Sequence, residues 1–224
     1  MTIIKNIIFD LGGVIINIDT QNVIRKLEKK GVDDFKSLYQ FLMGNGLYKK
    51  LETGAISAQD FRNAIHRQLS FPVTDQEIDE AWNAIILDIP EHRVRLLEKI
   101  RKKYRTFLLS NTNIIHFDYY NQYFRNTYNY NSLDDLFDKT YFSHKIGMRK
   151  PDPAIFKFVL KNSHLVPRET LFIDDNNENI KCAESIGIKG YYLEEGKEMT
   201  DLFDGSSLAI GTPLEKFPGQ DYIE

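Results

Sequence analysis

Residues 3–14 read IIKNIIFDLGGV, an apolar, β-rich run that ends in Asp10 and a glycine-rich turn. A carboxylate at this point is presented where a buried strand stops, and open α/β sheets bind their ligands at that carboxyl edge. The same arrangement recurs in residues 107–111, FLLSN, and in residues 171–175, LFIDD. Three strands that end in a carboxylate, a hydroxyl and paired acids predict one composite site, suited to phosphoryl transfer onto Asp10.

The distribution of apolar residues predicts an α/β fold in two parts. Residues 1–18 hold the first strand, and strands alternate with helices again over residues 92–224, which predicts a parallel sheet flanked by helices. Within residues 19–91, apolar residues recur at helical spacing without strand-like alternation. We therefore expect an insert of roughly four helices after the first strand, with capping boxes at residues 57–60 and 74–77.

Composition argues against several classes of protein. The chain has 29 basic and 32 acidic residues and a formal net charge of −3, without the basic excess of nucleic-acid-binding proteins. Its one cysteine, Cys182, cannot form an internal disulfide, which fits a reducing cytoplasm, and we expect it to lie buried in a helix that faces the sheet. No apolar run approaches the roughly 20 residues that span a bilayer. The sequence thus predicts a cytoplasmic protein without nucleic-acid or membrane partners, and it leaves the oligomeric state open.

Phosphoryl transfer to a carboxylate needs a cation, because a phosphate monoester carries nearly two negative charges near neutral pH. Magnesium holds carboxylate and phosphoryl oxygens together and neutralises the developing charge. Asp10 and one of Asp174 and Asp175 can supply two carboxylates, and a backbone carbonyl in residues 11–13 can supply a third oxygen. The sequence therefore predicts Mg²⁺ as a cofactor.

The transferring group also needs fixed hydrogen-bond donors. Ser110 and Asn111 follow the second predicted strand and offer a hydroxyl, an amide and free backbone N–H groups. Lys150, in the segment GMRKPDP, offers a positive charge whose position is stiffened by two prolines. We expect these three residues to bind the phosphoryl group.

With the motifs FDLGGV, LSNT, KP and IDDN in this order, the chain resembles the haloacid-dehalogenase-like (HAD) hydrolase superfamily over roughly residues 3–193. The helical insert lies where that superfamily has its C1 cap, and the motifs look most like those of bacterial α-D-glucose-1-phosphate phosphatases. The resemblance implies a Rossmann-like core with Asp10 as the nucleophile and Lys150 paired with both phosphate and Asp10. The implied magnesium ligands are Asp10, the carbonyl of Gly12 and Asp175, with Asp174 nearby. The implied phosphate ligands are Ser110, Asn111 and Lys150.

One position departs from the family pattern. Typical HAD phosphatases carry a second aspartate two positions after the nucleophile as general acid and base, and here that position is Gly12. Its carbonyl can bind a metal, but it has no side chain that could protonate a leaving group, so leaving groups of low pKa should be tolerated best. The replacements within reach in principle are Asp19, His116 and His144.

We therefore predict magnesium-dependent hydrolysis of small phosphate monoesters, with sugar phosphates favoured, through an aspartyl-phosphate on Asp10. One alternative is a haloacid dehalogenase, which uses the same nucleophile and lacks the second aspartate. Another is a non-catalytic protein that binds phosphorylated metabolites, as the glycine at position 12 would permit. The insert should act as a lid with hinges near residues 17–20 and 88–91. Its candidate substrate contacts are Tyr48, Lys49 and Trp82.

Overall fold

A computed structural model describes residues 3–29 and 35–209, and a five-stranded parallel sheet lies at its centre. The strands are β1 (Asn6–Phe9), β2 (Arg105–Ser110), β3 (Lys139–Phe142), β4 (Thr170–Asp174) and β5 (Lys189–Tyr192). They lie in the order β3-β2-β1-β4-β5, and every neighbouring pair is parallel. A short antiparallel hairpin follows, β6 (Phe203–Asp204) with β7 (Ser207–Leu208). The strand order places β1 in the middle, so the residue that follows it lies between the ends of β2 and β4.

Helices cover both faces of this sheet, because the alternation of side chains along each strand sends apolar residues to both sides. Ile7 belongs to one buried cluster with Leu97 and Phe124, whereas its neighbour Ile8 belongs to the opposite cluster with Phe156. The helices that pack there are α6 (Glu91–Ile100), α7 (Ile114–Thr127), α8 (Ser143–Ile146), α9 (Pro153–Ser163) and α10 (Asn177–Glu184). The predicted α/β fold with a parallel, helix-flanked sheet is confirmed.

The segment between β1 and α6 is helical, as predicted. Its helices are α1 (Gln21–Lys29), α2 (Phe35–Gly44), α3 (Leu47–Glu52), α4 (Ala58–His66) and α5 (Asp75–Asn83). Both predicted capping boxes are present, Ser57 with Asp60 and Thr74 with Glu77. The described residues contain one helix more than the roughly four expected, because α3 is only six residues long and too short to show a periodicity.

The two segments that connect the insert to the sheet lie side by side. The backbone N–H of Asn17 donates to the carbonyl of Asp88 at 2.9 Å, and the N–H of Asp19 donates to the carbonyl of Ile85 at 2.8 Å. Hydrogen bonds between the two connections keep the insert over the carboxyl edge of the sheet. The boundaries 19–91 and the hinge role of these segments remain predictions, and residues 30–34 and 210–224 lie outside the described part of the chain.

The structure contains several elements that the sequence did not predict, among them β3, α7 and the β6–β7 hairpin. Strand β3 begins with two polar residues and is only four residues long, so it has no clear apolar signature. Helix α7 spans an aromatic-rich segment that contains Phe117, Tyr119, Tyr120, Tyr123 and Phe124. Tyr120 and Phe124 are buried four positions apart on one face, whereas Tyr119 is 41% exposed, so the segment is one amphipathic helix.

Cys182 of α10 is half-buried rather than buried, at the edge of the apolar cluster on its face of the sheet.

None of the helices in the described residues is both long enough and apolar enough to span a lipid bilayer.

Candidate active site

The predicted site residues meet at the carboxyl edge of the sheet, around a cavity of about 250 Å³. Asp10 follows β1, Ser110 ends β2 and Asp174 ends β4, so three neighbouring strands deliver their terminal side chains to one place. The predicted residues that line the cavity are Asp10, Gly12, Ser110, Asn111, Lys150 and Asp175. Asp174 is fully buried behind them.

Lys150 is the centre of the charge arrangement. Its ammonium nitrogen lies 2.7 Å from Oδ1 of Asp10 and 2.6 Å from Oδ2 of Asp174, and the residue is only 1% exposed. The side chain of Asn111 fixes the lysine backbone: its Oδ1 accepts from the Lys150 N–H at 2.8 Å, and its Nδ2 donates to the Lys150 carbonyl at 2.9 Å. The Asn111 amide thus positions Lys150, and the second hydrogen of its Nδ2 is not used in these two bonds.

Asp174 is held by more partners than either other carboxylate. Besides Lys150, it accepts from the backbone N–H of Asn176 at 2.7 Å and from Nδ2 of Asn179 at 3.0 and 3.1 Å. These bonds engage both of its oxygens, which suits a residue that orients Lys150 from behind. The side chain of Asp175 is more open and faces the cavity.

The carboxylates of Asp10, Asp174 and Asp175 lie close enough to repel one another, and this repulsion favours the binding of a cation between them. One oxygen from each of Asp10, Asp174 and Asp175 lies within 4.8 Å of the others. Burial, aided by Asp174 and opposed by Lys150, raises the pKa of Asp10 to about 7. Burial and the charge of Asp174 also raise the pKa of Asp175. Burial alone would lower the pKa of Lys150, but Asp10 and Asp174 raise it. Three acids with one ammonium leave an excess of negative charge that a divalent cation would neutralise.

The glycine turn leaves room for this cluster. Gly13 has a φ of +72°, and a Cβ there would lie 2.0 Å from Oδ2 of Asp175. A Cβ on Gly12 would make only ordinary contacts with Ile18, at 3.5 and 3.6 Å. The oxygen-only donor set and the close approach of backbone to carboxylate fit a hard divalent cation such as Mg²⁺.

Two of the three candidate replacements for the missing acid lie away from the cavity. Asp19 accepts from the backbone N–H of Gln21 at 2.9 Å and pairs with Arg25, which ties it to the start of α1. His144 packs against Phe117, 5.3 Å between ring centroids, and does not line the cavity. Burial, and secondarily the charge of the adjacent lysine, lowers the pKa of His144 to about 4. Neither side chain is placed to reach a substrate held at Asp10.

His116 does line the cavity, but as a neutral ring. Burial lowers its pKa to about 3. Its Nδ1 lies 2.8 Å from Oδ1 of Asn83 in α5, and its ring stacks on Trp82 with 5.8 Å between centroids and an interplanar angle of 7°. With Nδ1 donating to Asn83, Nε2 is left as an acceptor. His116 can therefore accept a hydrogen bond from a substrate hydroxyl near neutral pH, but it carries no proton to give a leaving group.

The cavity also contains an ion pair that the sequence did not predict. Glu52 of α3 is 3% exposed, and its Oε2 accepts from Nε of Arg149 at 2.9 Å. Burial raises the pKa of Glu52, although Arg149 opposes the rise. Arg149 directly precedes Lys150, and this position next to a predicted site residue could have identified it. Nothing in the sequence singles out Glu52. Of the three predicted insert contacts, Tyr48 lines the cavity, Trp82 lies behind His116, and Lys49 is exposed outside the lining.

Comparison with known proteins relates the chain to one family. A family model described as haloacid dehalogenase-like hydrolase matches residues 4–187. A D-ribitol-5-phosphate phosphatase of Bacteroides thetaiotaomicron is 33% identical over 199 residues, which cover 87% of this chain and 94% of that protein. A sesquiterpene phosphatase of Aspergillus oryzae is 27% identical over 87% of this chain and 92% of that protein.

A solved structure is similar over most of its length. It is the HAD family enzyme bt-2542 of Bacteroides thetaiotaomicron, in complex with magnesium and inorganic phosphate. The two chains superpose with a TM-score of 0.82 at 38% sequence identity, over 90% of this chain and all of that one.

Proposed function

The chain belongs to the haloacid dehalogenase-like hydrolases and is a phosphoric monoester hydrolase of that family, and we propose that it acts on small phosphorylated carbohydrates through Asp10 with Mg²⁺ as cofactor. The observation that carries the proposal is the geometry around Asp10. Its carboxylate lies 2.7 Å from the Lys150 ammonium and within 4.8 Å of Asp174 and Asp175, at the edge of the sheet where Ser110 ends its strand.

Asp10, the Gly12 carbonyl and Asp175 would hold the metal, with Asp174 behind them. When bound, Mg²⁺ neutralises charge on the carboxylates and on the phosphoryl oxygens. The bound magnesium and phosphate in the structure of the Bacteroides enzyme support this choice of cofactor. The relatives are named for ribitol phosphate and for a sesquiterpene. The predicted similarity to glucose-1-phosphate phosphatases therefore stays untested.

Lys150, Ser110, Asn111 and Asp10 have different roles in the reaction. Lys150 holds the Asp10 carboxylate in a fixed orientation, which limits the freedom that the nucleophile must lose on reaction. The Ser110 hydroxyl and the N–H groups of Asn111 bind phosphoryl oxygens. An Asp10 oxygen attacks phosphorus, the ester oxygen leaves, and water then cleaves the aspartyl-phosphate. Because Gly12 supplies no acid, the leaving oxygen takes its proton from solvent, and esters with acidic leaving groups react fastest.

A polar rim beyond the phosphoryl group favours a carbohydrate. Glu52 and the Nε2 of His116 can accept hydrogen bonds from hydroxyl groups, and the guanidinium of Arg149 can donate them. The three residues line one side of the same cavity as Asp10. A substrate with several hydroxyl groups, such as the sugar-alcohol phosphate for which the 33% identical relative is named, matches this set of donors and acceptors.

Two alternatives fit the site less well. A haloacid dehalogenase has no use for three carboxylates around one point, and a protein that only binds phosphorylated metabolites has no use for an oriented nucleophile. A second substrate class has one specific observation in its favour. The relative at 27% identity is named a sesquiterpene phosphatase, and an apolar cavity adjoins the polar one in this chain.

The test is phosphate release from ribitol 5-phosphate, a panel of sugar phosphates and an aryl phosphate. With Mg²⁺ we expect turnover, and we expect none in the Asp10→Asn variant or with EDTA. The matched control is Asp118→Asn, an exposed aspartate on α7, which should keep wild-type activity. Release of halide from a 2-haloacid that survives EDTA would indicate the dehalogenase alternative. Binding of Mg²⁺ and phosphate without release from any ester would indicate the binding protein.

A further inference from the structure

Tyr120 of α7 carries a buried hydroxyl group that makes no hydrogen bond. The residue is 1% exposed, and its hydroxyl oxygen has no partner among the described residues. Four other described residues also hold a buried polar atom without a partner, but Tyr120 alone among the five lines the cavity at Asp10. Burying a hydroxyl without a hydrogen bond destabilises a folded protein. The Tyr120 hydroxyl is therefore a polar group that a ligand in this cavity could satisfy.

The position of the Tyr120 ring is fixed by its neighbours. Its centroid lies 5.7 Å from that of Phe117 and 6.5 Å from that of Phe142. Tyr120 also belongs to the buried cluster that contains Leu11 and Ile16, and these two residues line the same cavity. The tyrosine thus lies beside the turn that follows β1. A side chain held in this way loses little further freedom when its hydroxyl binds a ligand.

The hydroxyl of Tyr120 is protonated near neutral pH. Burial, aided by the charge of Asp134, raises the pKa of Tyr120 well above its usual range. The Thr112 hydroxyl, which also lines the cavity, acts against this rise without making a hydrogen bond to Tyr120. A protonated hydroxyl can donate one hydrogen bond and accept others. Because the charge of Asp134 repels anions, an uncharged hydroxyl is a better partner for Tyr120 than a phosphoryl oxygen.

We propose that Tyr120 is a specificity-determining residue, and that its hydroxyl donates a hydrogen bond to a hydroxyl oxygen in the organic part of a carbohydrate phosphate held at Asp10. The proposal rests on the phosphatase function proposed above. Glu52 and the neutral ring of His116 offer only acceptors to a substrate, so the cavity also needs donors. Tyr120 supplies one in addition to Arg149.

The first experiment measures binding without catalysis. We would titrate the Asp10→Asn variant, with and without Tyr120→Phe, with a panel of carbohydrate phosphates that includes ribitol 5-phosphate, in the presence of Mg²⁺. Ethyl phosphate, which has no hydroxyl group in its organic part, is the reference ligand. For the carbohydrate phosphate that binds most tightly, we expect Tyr120→Phe to weaken binding by roughly 3- to 10-fold, the range for one neutral hydrogen bond. The affinity for ethyl phosphate should not change.

The second experiment measures stability, because a purely structural role would show itself there. Tyr120→Phe should leave the urea midpoint of the free protein unchanged or raise it, since the hydroxyl that it removes has no partner. Tyr141→Phe is the matched control. Tyr141 is also buried, but its hydroxyl lies 2.6 Å from Oγ of Ser163. Its removal leaves the serine unpaired, so it should lower the urea midpoint and leave the affinity for every phosphate ester unchanged.

A loss of affinity that is confined to carbohydrate phosphates, with an unchanged urea midpoint, supports the proposal. The proposal is wrong if Tyr120→Phe lowers the midpoint as much as Tyr141→Phe does. The hydroxyl would then have a partner in the free protein, such as a water molecule shared with Asp134, whose Oδ1 is also buried without a hydrogen bond. It is also wrong if both kinds of ester are weakened equally, or if neither is weakened.

Phosphate release by the wild-type protein separates this proposal from the phosphatase function. If Tyr120→Phe has no selective effect while the wild type hydrolyses carbohydrate phosphates, the role of Tyr120 fails and the phosphatase function stands. If the wild type hydrolyses no ester but Tyr120→Phe selectively weakens carbohydrate phosphates, the phosphatase function fails and the contact with Tyr120 is supported.

Discussion

Nε of Arg149 lies 2.9 Å from Oε2 of Glu52, so that an ion pair joins helix α3 of the insert to the segment that carries Lys150. The glutamate side chain is 4% exposed and the arginine side chain 29% exposed, which leaves the arginine partly available to a substrate. The pair crosses from insert to sheet inside the cavity that contains Asp10. It fixes where the insert sits relative to the nucleophile and presents charge to the organic part of the substrate.

Glu52→Gln should therefore impair carbohydrate phosphates more than simple esters. The amide keeps the size of the side chain but loses the charge, and a hydrogen bond to a charged group contributes about 1.5–3 kcal/mol. We expect kcat/KM on the best carbohydrate phosphate to fall by roughly 10- to 100-fold, with a much smaller effect on an aryl phosphate. Steady-state kinetics on the two substrates would measure the difference. Glu28→Gln, an exposed change on α1, is the control, and an equal loss on both substrates would contradict a role in substrate binding.

The adjacent glycines of the first turn should respond in opposite ways to alanine. At Gly13 a Cβ would lie 2.0 Å from Oδ2 of Asp175, and the φ of +72° is one that alanine rarely adopts. At Gly12 a Cβ would meet only Ile18, at 3.5 Å. We expect Gly13→Ala to weaken Mg²⁺ binding at least tenfold, since changes to the groups that position metal ligands typically cost about 10- to 100-fold in affinity, and Gly12→Ala to retain it. Calorimetric titration with Mg²⁺ would test this, and equal affinities in the two variants would argue against Asp175 as a ligand.

Lys150→Met should destabilise the protein as well as inactivate it. Lys150 is 1% exposed between Asp10 and Asp174, and its removal leaves two buried carboxylates without their shared counter-ion. Breaking a buried ion pair in this way costs about 3–5 kcal/mol. Urea unfolding without metal should show a loss of this size, and Mg²⁺ should restore part of it by taking over as counter-ion. Lys157→Met, an exposed change on α9, should leave both stability and activity close to wild type.

The site residues that could be predicted from the sequence are those marked by a pattern of neighbouring residues. Asp10, Ser110 and Asp174 each follow an apolar β-rich run, and β1 pairs with both β2 and β4, so three local patterns converge at one edge. Glu52 carries no such signal, and His116 was only one of three candidates for the missing acid. Glu52 reaches the cavity because α3 packs on α8, and His116 is fixed because α5 packs on α7. These are contacts between helices far apart in the chain, and periodicity within one helix does not reveal its partner.

The elements that were not predicted, β3 and α7, lack a clear pattern in their own residues. Strand β3, KTYF, begins at an exposed lysine and buries only its last two residues, so it lacks the alternation or apolar run that identifies a strand. In α7 the polar residues between the aromatic side chains obscured the stripe that Tyr120 and Phe124 form. The capping boxes of α4 and α5 were predictable because the cap is a contact between residues three positions apart.

His116 should make the stability of the protein depend on pH. Burial lowers its pKa from 6.5 to about 3, so between these values the unfolded chain binds a proton that the folded protein does not. The free energy of unfolding therefore has its full value above pH 6.5 and falls as the pH drops towards 3, by up to a few kcal/mol for this one group.

His116→Gln should reduce the dependence of the free energy of unfolding on pH. Urea unfolding from pH 7 to pH 4 would measure it, with His92→Gln, an exposed histidine, as the control. His144, whose pKa burial also lowers, should maintain part of the slope in the variant, because its proton uptake has the same sign. If His116→Gln loses stability over this range as steeply as wild type does, folding does not lower the pKa of His116, and the description of a buried ring that stays neutral at acidic pH must be abandoned.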